Sequence, residues 1–120
     1  MSNIGYPQTG VSASQFYSNM LAEEDADKRR RLFADARQSS LCSYQVYVLA
    51  AEAEEQWGAD PLRLKAILHK GVVVFKNPAG QGAHCPKVSR NTWLQEATRS
   101  EKQGHFKTAD ALRQTVTESL

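Results

Sequence analysis

The stretch Gly58-Ala59-Asp60-Pro61-Leu62-Arg63-Leu64-Lys65-Ala66-Ile67-Leu68-His69-Lys70-Gly71-Val72-Val73-Val74-Phe75 decides how the chain is built. Gly58 supplies a stop of the C′ type for whatever helix precedes it. Asp60-Pro61 then starts a new helix, because the carboxylate caps the first turn and proline at that position needs no donor. Leu62, Ala66, Ile67 and His69 line this helix, which the sequence ends at Lys70-Gly71. Val72 to Phe75 is short and β-branched, and reads as a strand. Asn77-Pro78-Ala79-Gly80-Gln81-Gly82 follows as a turn, and Cys85, Lys87 and Val88 offer a return strand. A β-hairpin near residues 72–88 is therefore expected.

Working outward, every other segment reads as helix. Upstream, Leu41 to Trp57 carries Tyr44, Tyr47, Val48 and Ala51 in a broad apolar band, the mark of the most buried helix. Ser12 or Ser14 caps a helix from near Gln15, with Phe16, Tyr17, Met20 and Leu21 at helical spacing. Leu32, Phe33 and Ala36 resume that spacing after Glu23-Glu24-Asp25-Ala26-Asp27-Lys28-Arg29-Arg30-Arg31. Acids preceding bases by three or four residues support an exposed helix there, although the block also suits a break between two shorter helices. Downstream, Ser89 or Asn91 caps a helix through Trp93, Leu94 and Ala97, and Gly104 ends it. Phe106, Ala109, Leu112, Val116 and Leu120 form an amphipathic stripe that completes a C-terminal αα-hairpin.

The fold class that results is mostly α: one small domain over residues 12–120, of four to six helices, with the hairpin at 72–88 inserted. Residues 1–11, broken by Pro7 and Gly10, read as a flexible N-terminal arm. The expected core is Leu21, Phe33, Tyr44, Tyr47, Val48, Leu64, Ile67, Trp93, Phe106, Ala109, Leu112 and Val116. With 120 residues, 41% hydrophobic and 23% charged, the chain has the makings of one globular domain with its own core. Its longest apolar run, Val46 to Ala51, is far too short to span a bilayer. No secretory leader is visible at the start, so a cytoplasmic location and no membrane partner are expected.

Charge is distributed unevenly. Residues 1–60 hold five bases and nine acids, whereas 61–120 hold ten bases and four acids. Between Asp60 and Glu96 no acid occurs in 35 residues, where the overall composition of 13 in 120 would place about 4. That window carries Arg63, Lys65, Lys70, Lys76, Lys87 and Arg90, with His84 in its loop. These seven residues are the candidate surface for an anionic partner, with nucleic acid first and an acidic protein surface second. The alternative source of the asymmetry is attraction between an acidic and a basic half of one molecule.

Catalytic and metal chemistry find little support. The adjacent His84-Cys85 is a poor chelating pair, and no closely spaced ligand pairs announce a zinc site, so neither metal nor cofactor is expected. A Cys42–Cys85 disulfide runs against a cytoplasmic location, and Cys42 reads instead as a small core residue. Neither a phosphate-binding loop nor a dinucleotide fingerprint is present. The run Gly58 to Leu68 resembles the helix that leads to the active-site glutamate of lytic transglycosylases. The resemblance would put that glutamate at Gly71 and its neighbouring serine at Val72, so the general acid is missing. Trp93, Ala97, Gly104, Phe106 and Ala109 have the relative spacing of a single tetratricopeptide-type repeat, which implies protein binding through Trp93 and Phe106. Glu96, Ser100 and Arg113 stand where such repeats carry apolar residues, and one repeat cannot bury its own face.

The expected function is thus non-enzymatic: a module docking an anionic partner through the basic helix-hairpin surface at 61–95. The alternative is a helical adaptor or assembly subunit, using the arm and the αα-hairpin to bind another protein or further copies of the chain.

Overall fold

The computed structural model describes residues 12–39, 43–77 and 85–120. They form six helices: α1 (Ala13–Ala22), α2 (Ala26–Ser39), α3 (Gln45–Gln56), α4 (Pro61–Lys76), α5 (Arg90–Lys102) and α6 (Phe106–Ser119). The arm expected at residues 1–11, the expected turn from Pro78 to Gly82, His84 and Cys42 lie outside the described residues. Among the described residues no helix is long and apolar enough to cross a membrane.

Local chemistry explains most of the boundaries. Ser12, Asp60 and Ser89 each accept the backbone N–H three residues on, capping α1, α4 and α5. The acidic block does contain a break: Glu23 to Asp25 leaves the helix, and Asp25 Oδ1 accepts from the N–H groups of Asp27 (2.8 Å) and Lys28 (3.2 Å) to restart it. Those bonds, with Lys28 the stronger contributor, hold the exposed Asp25 carboxyl below its usual range. Gly58 and Gly104 both take φ near +90°. Each closes a helix with paired bonds, Gly58 N to Glu55 O and Ala59 N to Glu54 O, then Gly104 N to Glu101 O and His105 N to Ser100 O. A β-carbon is disfavoured in that conformation, which is why glycine ends α3 and α5.

The expected hairpin is replaced by helix. α4 runs unbroken through Gly71 and the three valines to Lys76, and the described residues contain no strand. Its buried residues, Leu64, Ile67, Leu68, Gly71, Val72 and Phe75, keep helical spacing throughout. Burial of that stripe outweighs the strand preference of the valines, which is worth under about 1 kcal/mol per residue and depends on context. Gly71 is not a stop. A β-carbon there would lie 2.7 Å from Tyr47 Cγ, so glycine is what lets α4 approach α3. The proposed return strand is irregular chain; Val88 is buried and its N–H bonds to Phe75 O at 3.1 Å.

Gly71→Ala should therefore be costly although alanine favours helix. The Tyr47 ring sits edge-on to both Phe33 and Phe75, with centroids at 5.5 and 6.0 Å, and has little room to retreat. A loss of about 1–3 kcal/mol is expected, read as a lower urea midpoint with an unchanged slope; a neutral or stabilising result would contradict the close approach.

α3 is the centre of the domain. α1, α2, α4 and α6 all pack on it, and α6 packs most extensively on α4 and α5, completing the expected αα-hairpin. Val46, Tyr47, Val48, Ala50, Ala51 and Ala53 of α3 are all buried. Of the expected core, Leu21 and Phe106 are corrections. Leu21 is 37% exposed because Met20, one residue earlier, takes the inward position. Phe106 is 66% exposed: it opens α6, ahead of the buried run Thr108, Ala109, Ala111, Leu112.

Candidate functional site

Three glutamates on the last turn and a half of α3 pin its neighbours, and one of them, Glu54, reaches both helices that frame the site. Glu54 is buried and accepts from Arg29 Nε at 3.0 Å. Arg29, buried on α2, also donates from Nη1 to Glu23 O (2.7 Å) and Glu24 O (3.0 Å), and its guanidinium lies 4.8 Å from the Trp57 ring centroid. Trp57 Nε1 in turn donates to Met20 O. The carbonyls of Glu23 and Glu24 just past α1 thereby gain donors, and Met20 O gains a second one beside the Glu23 N–H. Glu52 accepts from Ser100 Oγ and from Arg99 Nη2, which ties α5 to α3. Glu55 accepts from Lys107 N (3.1 Å), Thr108 N (3.0 Å) and Thr108 Oγ1 (2.7 Å). It thus caps α6 across the fold, where His105 gives no side-chain cap of its own. Around this polar seam Tyr17 Oη lies 3.4 Å from His105 Nε2. Burial, then the Glu52 carboxylate, pushes the Tyr17 hydroxyl above its ordinary pKa. Part of the charge asymmetry along the chain is therefore spent inside the molecule.

The expected basic surface divides into three. Lys65 pairs with Glu118 at 3.0 Å, and Lys76 Nζ donates to Ser119 O at 3.1 Å, so both tie α4 to the end of α6. Lys87 and Arg90 are exposed near the start of α5. Arg63 and Lys70 lie on the opposite flank of α4 and face α2. There they meet two cations not among the expected set, Arg30 and Arg37.

α2 and α4 both rest on α3 but make no extended contact with each other. The groove between them has a volume of about 290 Å³ and is lined by Arg30, Phe33 and Arg37 from α2 and Arg63, Ala66, Ile67 and Lys70 from α4. Four cations surround an apolar floor, and no acid is among these lining residues. Arg30 is held by Asp27 at 2.6 Å, and Arg63 lies 3.9 Å from Glu54. Arg37 and Lys70 have no carboxylate at ion-pair distance among the described residues. The Arg37 guanidinium stacks 4.5 Å from the Phe33 ring centroid, and its shielded Nε has no acceptor. Stacking presents the planar donor fork of Arg37 to the groove. On each wall the cations are seven residues apart, two helical turns or roughly 10 Å. That spacing around Phe33 was visible in the sequence, but its facing partner lies some 30 positions away.

The residues expected to bind protein part company. Phe106 is on the surface, whereas Trp93 is fully buried with its ring edge-on to Tyr44 at 5.5 Å, so it belongs to the core and has no face to offer a partner. The position of the missing transglycosylase glutamate is filled by the Tyr47 ring, leaving no room there for a carboxylate side chain. Cys85 corrects another expectation, for it is disulfide-bonded rather than free. The sequence holds one other cysteine, Cys42.

Comparison with protein-family models, with curated proteins and with solved structures finds no match to this chain.

Proposed function

We propose that the chain is a non-enzymatic binding module that docks an anionic partner through the α2–α4 groove. The observation that carries this reading is the convergence of Arg30, Arg37, Arg63 and Lys70 on one apolar-floored groove without a lining acid. Two of these cations, Arg37 and Lys70, are uncommitted among the described residues, so an incoming carboxylate or phosphate displaces no internal ion pair at them. The groove narrows the basic surface expected at 61–95 to one flank of α4 and extends it to α2.

The test is a comparison of two neutralised pairs. Arg37→Gln with Lys70→Gln should weaken binding of polyglutamate, used as a model polyanion at low salt, by about tenfold or more. Lys87→Gln with Arg90→Gln removes the same charge outside the groove and should change it less than about twofold. Equal losses in the two pairs would mean that net charge, not the groove, governs binding. A second reading, the protein adaptor, is favoured by one observation: Phe106 stands 66% exposed on the αα-hairpin.

A further inference from the structure

Resting on the groove reading above, we infer that its occupant is an acidic amphipathic helix of another protein, laid along α2 and α4. Two observations separate this occupant from a nucleic-acid strand. The floor of the groove is Phe33, Ala66 and Ile67, and the apolar surface continues over the outer side of α4. There Leu62 is 77% exposed and Val73 49% exposed, with the exposed Ala66 between them. Positions 62, 66, 69 and 73 share one helix face, so a ridge interrupted only by the exposed His69 runs beside the cations. A phosphate chain would engage the cations and leave this ridge in water; an amphipathic helix covers both at once.

Register is the second observation. Arg30 and Arg37 on one wall, and Arg63 and Lys70 on the other, repeat at two turns with the apolar residues between them. A helix with carboxylates at the same two-turn spacing on both flanks and apolar residues along its centre meets this pattern position for position. A second copy of the chain is disfavoured as a symmetric occupant, because the same four cations would face each other across the contact.

Fluorescence anisotropy on the full chain under non-reducing conditions tests this with three labelled probes. The first is a peptide of about 20 residues with leucines on one helical face and glutamates on the flanks. The second has the same composition, scrambled so that the leucines fall on all faces. The third is a single-stranded DNA of similar charge. The amphipathic peptide should bind at least about tenfold tighter than either other probe, and Ala66→Glu should abolish that preference with an unchanged circular dichroism spectrum. Equal binding of all three, or tighter binding of DNA, would overturn the inference while leaving the groove reading intact. No binding by any probe would remove both. Self-association abolished by Arg37→Gln with Lys70→Gln would assign the groove to a second copy and likewise overturn it.

Discussion

Arg29→Met should destabilise the domain by about 3–5 kcal/mol, the largest single-residue effect expected anywhere in the fold. The substitution strands the Glu54 carboxylate, buried on the central helix, without its 3.0 Å partner. Arg63 Nη2, at 3.9 Å from the same carboxylate, is too distant to replace it with a good hydrogen bond. The carbonyls of Glu23 and Glu24 lose their donor as well, so the junction of α1 and α2 loosens. Because the cost lies mainly in the uncompensated charge, removing both partners should be less harmful than removing one. Arg29→Met with Glu54→Met should recover part of the loss, though not the carbonyl bonds. Urea denaturation of the two variants measures both numbers. A single-variant loss under about 1 kcal/mol would show that the pair is not the clamp described.

The second large effect concerns Cys85. Removing a native disulfide from a small domain typically costs about 2–5 kcal/mol, chiefly through greater freedom of the unfolded chain. Cys85 is joined just beyond α4 and three residues before the buried Val88. Cys85→Ser should therefore lower the thermal midpoint by about 10 °C or more for a domain of this size. Reductant added to the unmodified chain should reproduce the shift, and reductant added to the variant should do nothing further. A midpoint insensitive to both would show that the bond contributes nothing to stability.

How far these features could be read from the sequence follows from the range over which each is determined. Ser12, Gly58, Asp60-Pro61, Ser89 and Gly104 were legible as caps and stops because their partners lie within a few residues. Val72 to Phe75 was misread for the opposite reason. What keeps these residues helical is burial of the α4 stripe, and it depends on a contact with the Tyr47 ring, some 24 positions before Gly71, that requires Gly71 to be bare. Without that contact, glycine followed by valines has the local form of a helix end and a strand. Trp93 and Phe106 show the same limit within one hairpin: both are large and aromatic on helical spacing, yet only the packing of α5 and α6 decides that one is buried and the other exposed.

The candidate site was half legible. Arg63 and Lys70 stood out within the acid-free window, but nothing local separated them from Lys65 and Lys76, which turn toward α6 and are engaged there. Arg30 and Arg37 were hidden in and just beyond a block whose acids balance its bases. Only the placing of α2 and α4 on a common neighbour brings the four together. The glutamates of α3 that bond to its neighbours sit in an alanine-rich run, Ala50-Ala51-Glu52-Ala53-Glu54-Glu55, which signals a helix without indicating which way its acids point. Their partners are on α2, α5 and α6, between 25 and 53 positions distant.

Backbone amide chemical shifts, followed while polyglutamate is titrated into the full chain, test the docking surface most directly. The groove predicts that the largest changes fall on residues 30–37 of α2 and 63–70 of α4, with Lys87, Arg90 and the outer face of α6 nearly still. Changes centred on 87–90, or spread evenly over every exposed lysine and arginine, would contradict it.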